Sequence, residues 1–279
     1  MHAERIKNPC NSVKSASSVY KKIMPSNLTI LTQINLDDLV SSFGWTDRPL
    51  LARSLRGLFL RPARDFAADM ADFDDSVGTR GLPEASRLLL GRYVSSLRVF
   101  GRDNLPASAF LALSNHPGMT DTLALFVALN RPDLKIIALD RPFLNALPNT
   151  EKCLFYVKDD SAARMTLVRQ VASHLRAGGA ALTFPAGHIE PDPDVYPGAV
   201  ESLNAWTDSV GVFLRMSPET PVVPILVRGV VRRNSARHPL LKTRKTKACP
   251  ERSRREEREK LTAALQLLAH VVFKQKDVH

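Results

Sequence analysis

The sequence is poor in cysteine and has no long apolar run. Its three cysteines, Cys10, Cys153 and Cys249, lie far apart in a chain of 279 residues, which argues against a disulfide framework or a compact zinc site. No apolar run approaches the ~18 residues that a membrane-spanning helix requires. The first thirty residues also lack the pattern of a signal peptide. We therefore predict a cytoplasmic, globular protein that at most contacts the inner face of a membrane.

The positive charge of the chain is concentrated in one segment. The formal net charge is +11, and the window from Arg228 to Lys260 alone has thirteen Lys or Arg against four Glu, a net charge of +9. No aromatic residues are interleaved with these charges, as they would be in a site for single-stranded nucleic acid, so we expect no nucleic-acid partner. Two interpretations stay open: a solvated segment without a role, or a contact with anionic lipid headgroups.

The N-terminal part of the chain is predicted to be helical after a short lead-in. Residues 1–35 mix Ser, Asn and Lys with short apolar pieces, which predicts a poorly ordered lead-in. Residues 36–98 are the predicted N-terminal helical region, with helices over 48–61, 63–73 and 83–97. The first helix has Leu50, Leu55 and Leu58 on one face and arginines around it. We expect this stripe to pack on the protein, with contact to an anionic membrane as the alternative.

Residues 99–230 alternate between strand-like and helix-like segments. Strands are predicted over 110–113, 134–138, 153–157, 180–184 and 222–227, and helices over 122–129, 161–176 and 199–216. This alternation predicts an α/β sandwich with a largely parallel central sheet flanked by helices. The two tryptophans, Trp45 and Trp206, are assigned to packing. The remaining residues, 231–279, are predicted to be the basic segment and a C-terminal helix.

A histidine lies in a tight turn between the first predicted strand and its helix. Pro117 and Gly118 favour a sharp turn after His116, and Asp121 falls in the first turn of the helix. A neutral imidazole accepts protons near neutral pH, and a carboxylate on its other nitrogen fixes the tautomer and stabilises the imidazolium. This arrangement is typical of a general base. The alternative is that His116 only caps the helix or fills a polar turn.

Four segments, in this order, resemble the PlsC-like glycerolipid acyltransferase family. They are residues 101–106 (GRDNLP), 115–121 (NHPGMTD, matching an NHxxxxD motif), 184–187 (FPAG, similar to FPEG) and 222–225 (VVPI). The resemblance implies that His116 deprotonates an acceptor hydroxyl and that Asp121 orients it. It also implies an acyl thioester donor, on CoA or acyl carrier protein, a glycerolipid-type acceptor as in phospholipid biosynthesis, and neither a metal nor another cofactor.

The sequence departs from the family where the acceptor phosphate is bound. The glutamate of FPEG is Ala186 here, and the Thr-Arg pair that follows the glycine is His188 and Ile189. The other acceptor arginine of the family should fall near Val157, where this chain has Lys158 followed by Asp159 and Asp160. We therefore predict an acceptor that is not phosphorylated or is charged differently. Its predicted contacts are Asn115, Lys158, Phe184, Pro185, Gly187, His188 and Glu190.

Two further function classes remain open at this point. A thioesterase or a metal-dependent hydrolase is one, because His116, Asp121, His188 and Glu190 are all residue types that bind metals. A catalytically inactive lipid-binding protein on the same scaffold is the other, because the second motif has lost its Glu and Arg. The retained His116 and Asp121 argue against inactivity.

Overall fold

The computed structural model describes residues 27–231. The basic segment beyond this range, its C-terminal helix and the first 26 residues of the predicted lead-in lie outside the described residues, as do Cys10 and Cys249. Within residues 27–231 no helix combines the length and the hydropathy that crossing a bilayer requires.

Within residues 27–231, three α-helices precede the sheet: α1 (Asn27–Ser42), α2 (Pro49–Arg80) and α3 (Leu82–Tyr93). The prediction of a lead-in up to residue 35 is wrong from Asn27 onward, because α1 already begins there. Leu31 is completely buried, and the Asn35 side chain donates a hydrogen bond to the Ala63 carbonyl of α2 (3.4 Å). Packing on α2 therefore makes this segment helical, although its own periodicity is weak.

Helix α2 is one continuous helix of 32 residues, where the sequence predicted two helices and a turn. Pro62 lies inside it, and it removes the backbone hydrogen bond that would run to the Leu58 carbonyl. The buried face nevertheless continues from Phe59 to Phe66 on both sides of the proline. Burial of this face offsets the missing bond, and the helix ends only at Arg80. Helix α3 also ends earlier than predicted, at Tyr93.

In the described part of the chain the sheet has five strands, all parallel, in the order β3-β2-β4-β1-β5. The strands are β1 (Phe110–Ser114), β2 (Lys135–Leu139), β3 (Leu154–Val157), β4 (Ala180–Thr183) and β5 (Val222–Ile225). Helices α4 (Met119–Leu129), α5 (Pro142–Asn145), α6 (Pro148–Glu151), α7 (Ser161–Arg176) and α8 (Ser209–Met216) connect them. The predicted α/β sandwich with a parallel central sheet is confirmed.

Alternation along the strands creates two cores, one on each side of the sheet. Phe110 and Ala112 of β1 face a large core that includes α1 to α4. Leu111, between them, faces a smaller core formed with α7 and α8. This period of two is what a strand buried on both faces requires. The parallel pairing of β1 with β4 places the carboxyl ends of these two strands side by side.

The prediction of one long helix over 199–216 is wrong. A short 3₁₀ helix (Glu201–Ala205) and α8 are separated by residues 206–208, of which Trp206 has an extended backbone. Both the backbone N–H and the hydroxyl of Thr207 bond to the Pro185 carbonyl (3.1 Å each). These contacts pull the chain toward the loop after β4, which a straight helix could not reach.

Candidate active site

The candidate site begins where β1 ends and its chain turns into α4. Asn115 directly follows β1, and its side chain bonds both backbone polar groups of Val227: the amide donates to the carbonyl (2.8 Å) and accepts from the N–H (2.7 Å). Asn115 therefore joins the end of β1 to the chain that leaves β5. The side chain of Asn115 stabilises this turn, and its contact with the acceptor stays a prediction.

His116 and Asp121 come together across the turn, as the sequence predicted. Nδ1 of His116 lies 2.9 Å from Oδ2 of Asp121, and the Asp121 side chain is completely buried. The same Oδ2 accepts the N–H of Gly118 (2.9 Å), whereas Oδ1 accepts from the backbone N–H and hydroxyl of Thr122. Because a carboxylate only accepts hydrogen bonds, Nδ1 holds the proton in the neutral ring. The basic lone pair is then on Nε2.

Gly118 allows a close approach between this turn and the chain after β5. A Cβ atom at Gly118 would lie 3.1 Å from Cγ1 of Val230. A side chain there would push this neighbour away, so the absence of one lets the turn stay tight.

The ring of Phe184 lies against the ring of His116. Their centroids are 4.3 Å apart and the rings are inclined by 24°. Phe184 directly follows β4, so the neighbouring strand supplies one wall for the imidazole. The His116 side chain keeps 23% of its surface exposed, which leaves the imidazole accessible from one side while its orientation is fixed.

The loop after β4 continues through Pro185, Gly187 and His188. The N–H of Gly187 bonds back to the Phe184 carbonyl (2.9 Å), and its positive φ of 64° suits glycine. Nδ1 of the half-buried His188 lies 2.8 Å from the Ala186 carbonyl, so Nδ1 is the donor and Nε2 has the lone pair. These three predicted acceptor contacts therefore lie in one loop, directly after Phe184.

Glu190 is buried, and its polar atoms bond groups of the protein. Oε2 accepts the backbone N–H of His116 (3.0 Å), and Oε1 accepts from the Ser202 hydroxyl and the Trp206 ring N–H (3.0 Å each). The backbone N–H of Glu190 donates to the His116 carbonyl (2.8 Å). Both carboxylate oxygens of Glu190 thus bond protein groups, and its contact with the acceptor stays a prediction.

Lys158 is not brought to His116. It follows β3, which lies at an edge of the described sheet, and the strand order in the sheet places β2 and β4 between β3 and β1. Three strand spacings of about 4.8 Å put these strands roughly 14 Å apart. The exposed Lys158 ammonium lies 3.9 Å from a carboxylate oxygen of Asp140, so it pairs with an acid outside the turn of His116.

The sequence did not predict the residues after the β4 loop that stabilise the site through hydrogen bonds. Ser202 and Trp206 bond Glu190, and Trp206 had been assigned to packing alone. Asp192 is completely buried and accepts the N–H groups of Gly229 (3.0 Å) and Val231 (2.8 Å). The pairing of buried acids with distant backbone N–H groups leaves no periodic pattern in a sequence, so no signal pointed to it.

Asp192 also influences a neighbouring phenol. Burial raises the pKa of Tyr196, and the negative charge of Asp192 raises it further. Tyr196 therefore stays protonated near neutral pH, as an uncharged side chain beside this loop.

The geometry supports proton transfer by a His–Asp pair. The lone pair of the neutral His116 ring is on Nε2, and a buried carboxylate in the position of Asp121 would stabilise an imidazolium. Within residues 27–231, no group of three or more His, Cys, Asp or Glu side chains is placed to hold a metal ion. The four residues considered for a metal-dependent hydrolase thus do not form a ligand set in the described part of the chain.

Comparison with known proteins gives one match. Residues 96–228, which contain β1 to β5 together with His116, Asp121 and Glu190, match the model of the family described as Acyltransferase. No curated protein and no solved structure gives a significant match. The chain therefore contains an acyltransferase domain of the PlsC-like glycerolipid acyltransferase family, and it is an acyltransferase.

Proposed function

We propose that the enzyme transfers a fatty acyl group from an acyl thioester, on CoA or acyl carrier protein, to a hydroxyl of a glycerolipid-type acceptor. His116 is the general base and Asp121 is the residue that orients it. The observation that carries this proposal is the 2.9 Å contact between Nδ1 of His116 and the buried Asp121 carboxylate. It leaves the basic Nε2 on a partly exposed ring.

The steps of the reaction follow from this arrangement. Nε2 of His116 takes the proton of the acceptor hydroxyl while the oxygen attacks the thioester carbonyl carbon. The tetrahedral intermediate collapses, the C–S bond breaks, and the imidazolium returns its proton to the leaving thiolate. Backbone N–H groups at the turn are the candidates for stabilising the oxyanion. The acyl group passes directly to the acceptor, so the proposal needs neither a metal nor a covalent enzyme intermediate.

The acceptor is proposed to lack the phosphate group of glycerol 3-phosphate or to be charged differently. His188 and Ile189 stand where the family has its Thr-Arg pair, and Glu190 faces the interior. Lys158, the other candidate for a cationic contact, follows the far edge strand. These positions support an acceptor recognised by its hydroxyl and its apolar part more than by a phosphate.

Thiol release tests this function directly. We expect free thiol from an acyl-CoA or acyl carrier protein thioester only when both an acceptor and His116 are present, with His116→Ala as the comparison. The acceptor panel contains glycerol 3-phosphate, lysophosphatidate, lysophosphatidylcholine and monoacylglycerol, and the acylated product is identified by mass spectrometry.

Each other outcome points to a different function. Thiol release without an acceptor, but dependent on His116, would identify a thioesterase. Release that needs added metal would favour the hydrolase. No release with any donor would favour an inactive lipid-binding protein.

A membrane contact is proposed for the first half of α2. The sequence predicted that the leucine stripe packs on the protein, but only part of it does: Leu55 is buried, whereas Leu50 and Leu58 are 80% and 74% exposed. Arg53 and Arg61 are exposed on the same part of the helix. Exposed leucines beside arginines suit the inner face of an anionic membrane, since both contacts are favourable there.

Vesicle binding tests this contact. In the double variant Leu50→Asn and Leu58→Asn, we expect the affinity for phosphatidylglycerol-containing vesicles to fall at least about tenfold, because two leucines no longer enter the lipid. Binding by the native protein should also weaken as salt increases. Met165→Gln is the control, because Met165 is 49% exposed on α7, on the opposite side of the sheet. Unchanged binding of the double variant would place the contact elsewhere.

A further inference from the structure

Glu190 contacts the backbone of the catalytic histidine at two points. Its carboxylate accepts the His116 N–H (3.0 Å), and its own N–H donates to the His116 carbonyl (2.8 Å). One residue thus holds both backbone polar groups of the base. The two residues are 74 positions apart in the chain, so this contact is an addition to the local geometry of the turn.

The second carboxylate oxygen of Glu190 is held from the other side. The hydroxyl of Ser202 and the ring N–H of Trp206 both donate to it at 3.0 Å. A buried carboxylate needs such donors, because leaving it unpaired costs several kcal/mol. Three donors from two distant segments therefore fix the carboxylate, and the carboxylate in turn fixes His116.

We propose that Glu190 is a positioning residue for His116. It keeps the backbone of the base in the conformation that places the ring on Asp121 and against Phe184. Misplacement of a reacting group by about 1 Å lowers a rate roughly 10²-fold. The inference rests on the proposed function of His116 as general base, and it adds a residue that does not touch the substrates.

The positioning role predicts a loss of kcat with unchanged substrate affinity. In Glu190→Gln, the amide keeps one accepting oxygen, but its NH₂ group must face either the His116 N–H or the Trp206 N–H. We expect kcat to fall about 10- to 100-fold, whereas KM for the donor and the acceptor changes less than about threefold. Trp206→Phe removes one donor to the carboxylate and leaves its contact with His116, so a smaller decrease, about three- to tenfold, is expected.

Asp74→Asn is the matched control. Asp74 is also a buried carboxylate that accepts backbone N–H groups, but these belong to Asn149 and Thr150 at the start of α6. This variant should unfold at a lower temperature and keep its kcat when assayed well below that temperature. Circular dichroism on all variants gives the folded fraction, so that rates refer to folded enzyme.

The outcomes separate this inference from the proposed function. Wild-type kcat in Glu190→Gln, with an inactive His116→Ala, would overturn the positioning role alone. An active His116→Ala would overturn the proposed function. A raised KM with unchanged kcat in Glu190→Gln would indicate that Glu190 binds the acceptor. An equal loss of kcat in Asp74→Asn would indicate that Glu190 contributes only to stability. If Glu190→Gln does not fold, Trp206→Phe and Ser202→Ala test the positioning role, since both variants retain the Glu190 carboxylate. Wild-type kcat in both would overturn that role.

Discussion

Replacing Asp121 by asparagine is expected to lower kcat about 10²- to 10⁴-fold, the range that general acid–base catalysis contributes. The Asp121 carboxylate accepts from four donors, which are Nδ1 of His116, the N–H of Gly118, and the N–H and hydroxyl of Thr122. An asparagine has one accepting oxygen, so its NH₂ group must face some of these donors. If it faces His116, it stabilises the tautomer whose Nε2 holds the proton and cannot accept another. The neutral side chain also no longer stabilises the imidazolium.

The measurement is kcat by thiol release, with circular dichroism to verify the fold. Asp133→Asn is the control, since it removes a partly exposed ion pair with Arg131 outside the site, and we expect its kcat to stay within about twofold. An Asp121→Asn enzyme that keeps more than about a tenth of wild-type kcat would contradict the general-base arrangement. It would instead support the alternative that His116 and Asp121 only shape a helix terminus.

Replacing Asp74 by alanine is expected to lower the free energy of unfolding by about 3–5 kcal/mol, the cost of breaking a buried charged network. Asp74 is 3% exposed. Its carboxylate accepts from the N–H of Asn149 (3.1 Å) and from the N–H and hydroxyl of Thr150 (2.7 Å each). These N–H groups lie in the first turn of α6, where no intrahelical partner exists. The Asn149 side-chain amide also donates to this carboxylate (3.2 Å). Alanine would therefore leave four donors without their acceptor, at the point where α2 is joined to the chain entering β3.

Denaturant unfolding measures this loss of free energy, because a lower midpoint concentration with an unchanged m-value reports lower stability. Asp75→Ala is the control, because Asp75 is exposed beside Asp74 on the same helix. A surface substitution of this kind changes the free energy by less than about 0.5 kcal/mol. A loss below about 1 kcal/mol in Asp74→Ala would show that water replaces the carboxylate and that this contact does not hold the helices to the sheet.

Several features of the molecule were determined by the sequence alone. The alternation of apolar strand and helix segments predicts the parallel α/β sandwich, since parallel strands buried on both faces need helices between them. The turn at Pro117 and Gly118 predicts that His116 and Asp121 meet. Both are local patterns, in which residues close in the chain decide the outcome.

Tertiary structure decided which partners the other polar residues bond. Helical periodicity predicts that Leu50, Leu55 and Leu58 share a face, but only the packing of α2 shows that Leu55 is covered and the others are exposed. Glu190 was assigned to the acceptor, and the fold turned its carboxylate toward a backbone N–H 74 residues away.

The same reason explains why the hydrogen bonds of Asn115 and Trp206 were not predicted. Asn115 bonds a backbone 112 residues further along, and Trp206 interrupts a predicted helix to reach Glu190. A sequence specifies donors and acceptors, and each buried group must find a partner. Which partner it finds depends on how distant segments pack against one another in the fold, and the spacing of residues along the chain does not show this.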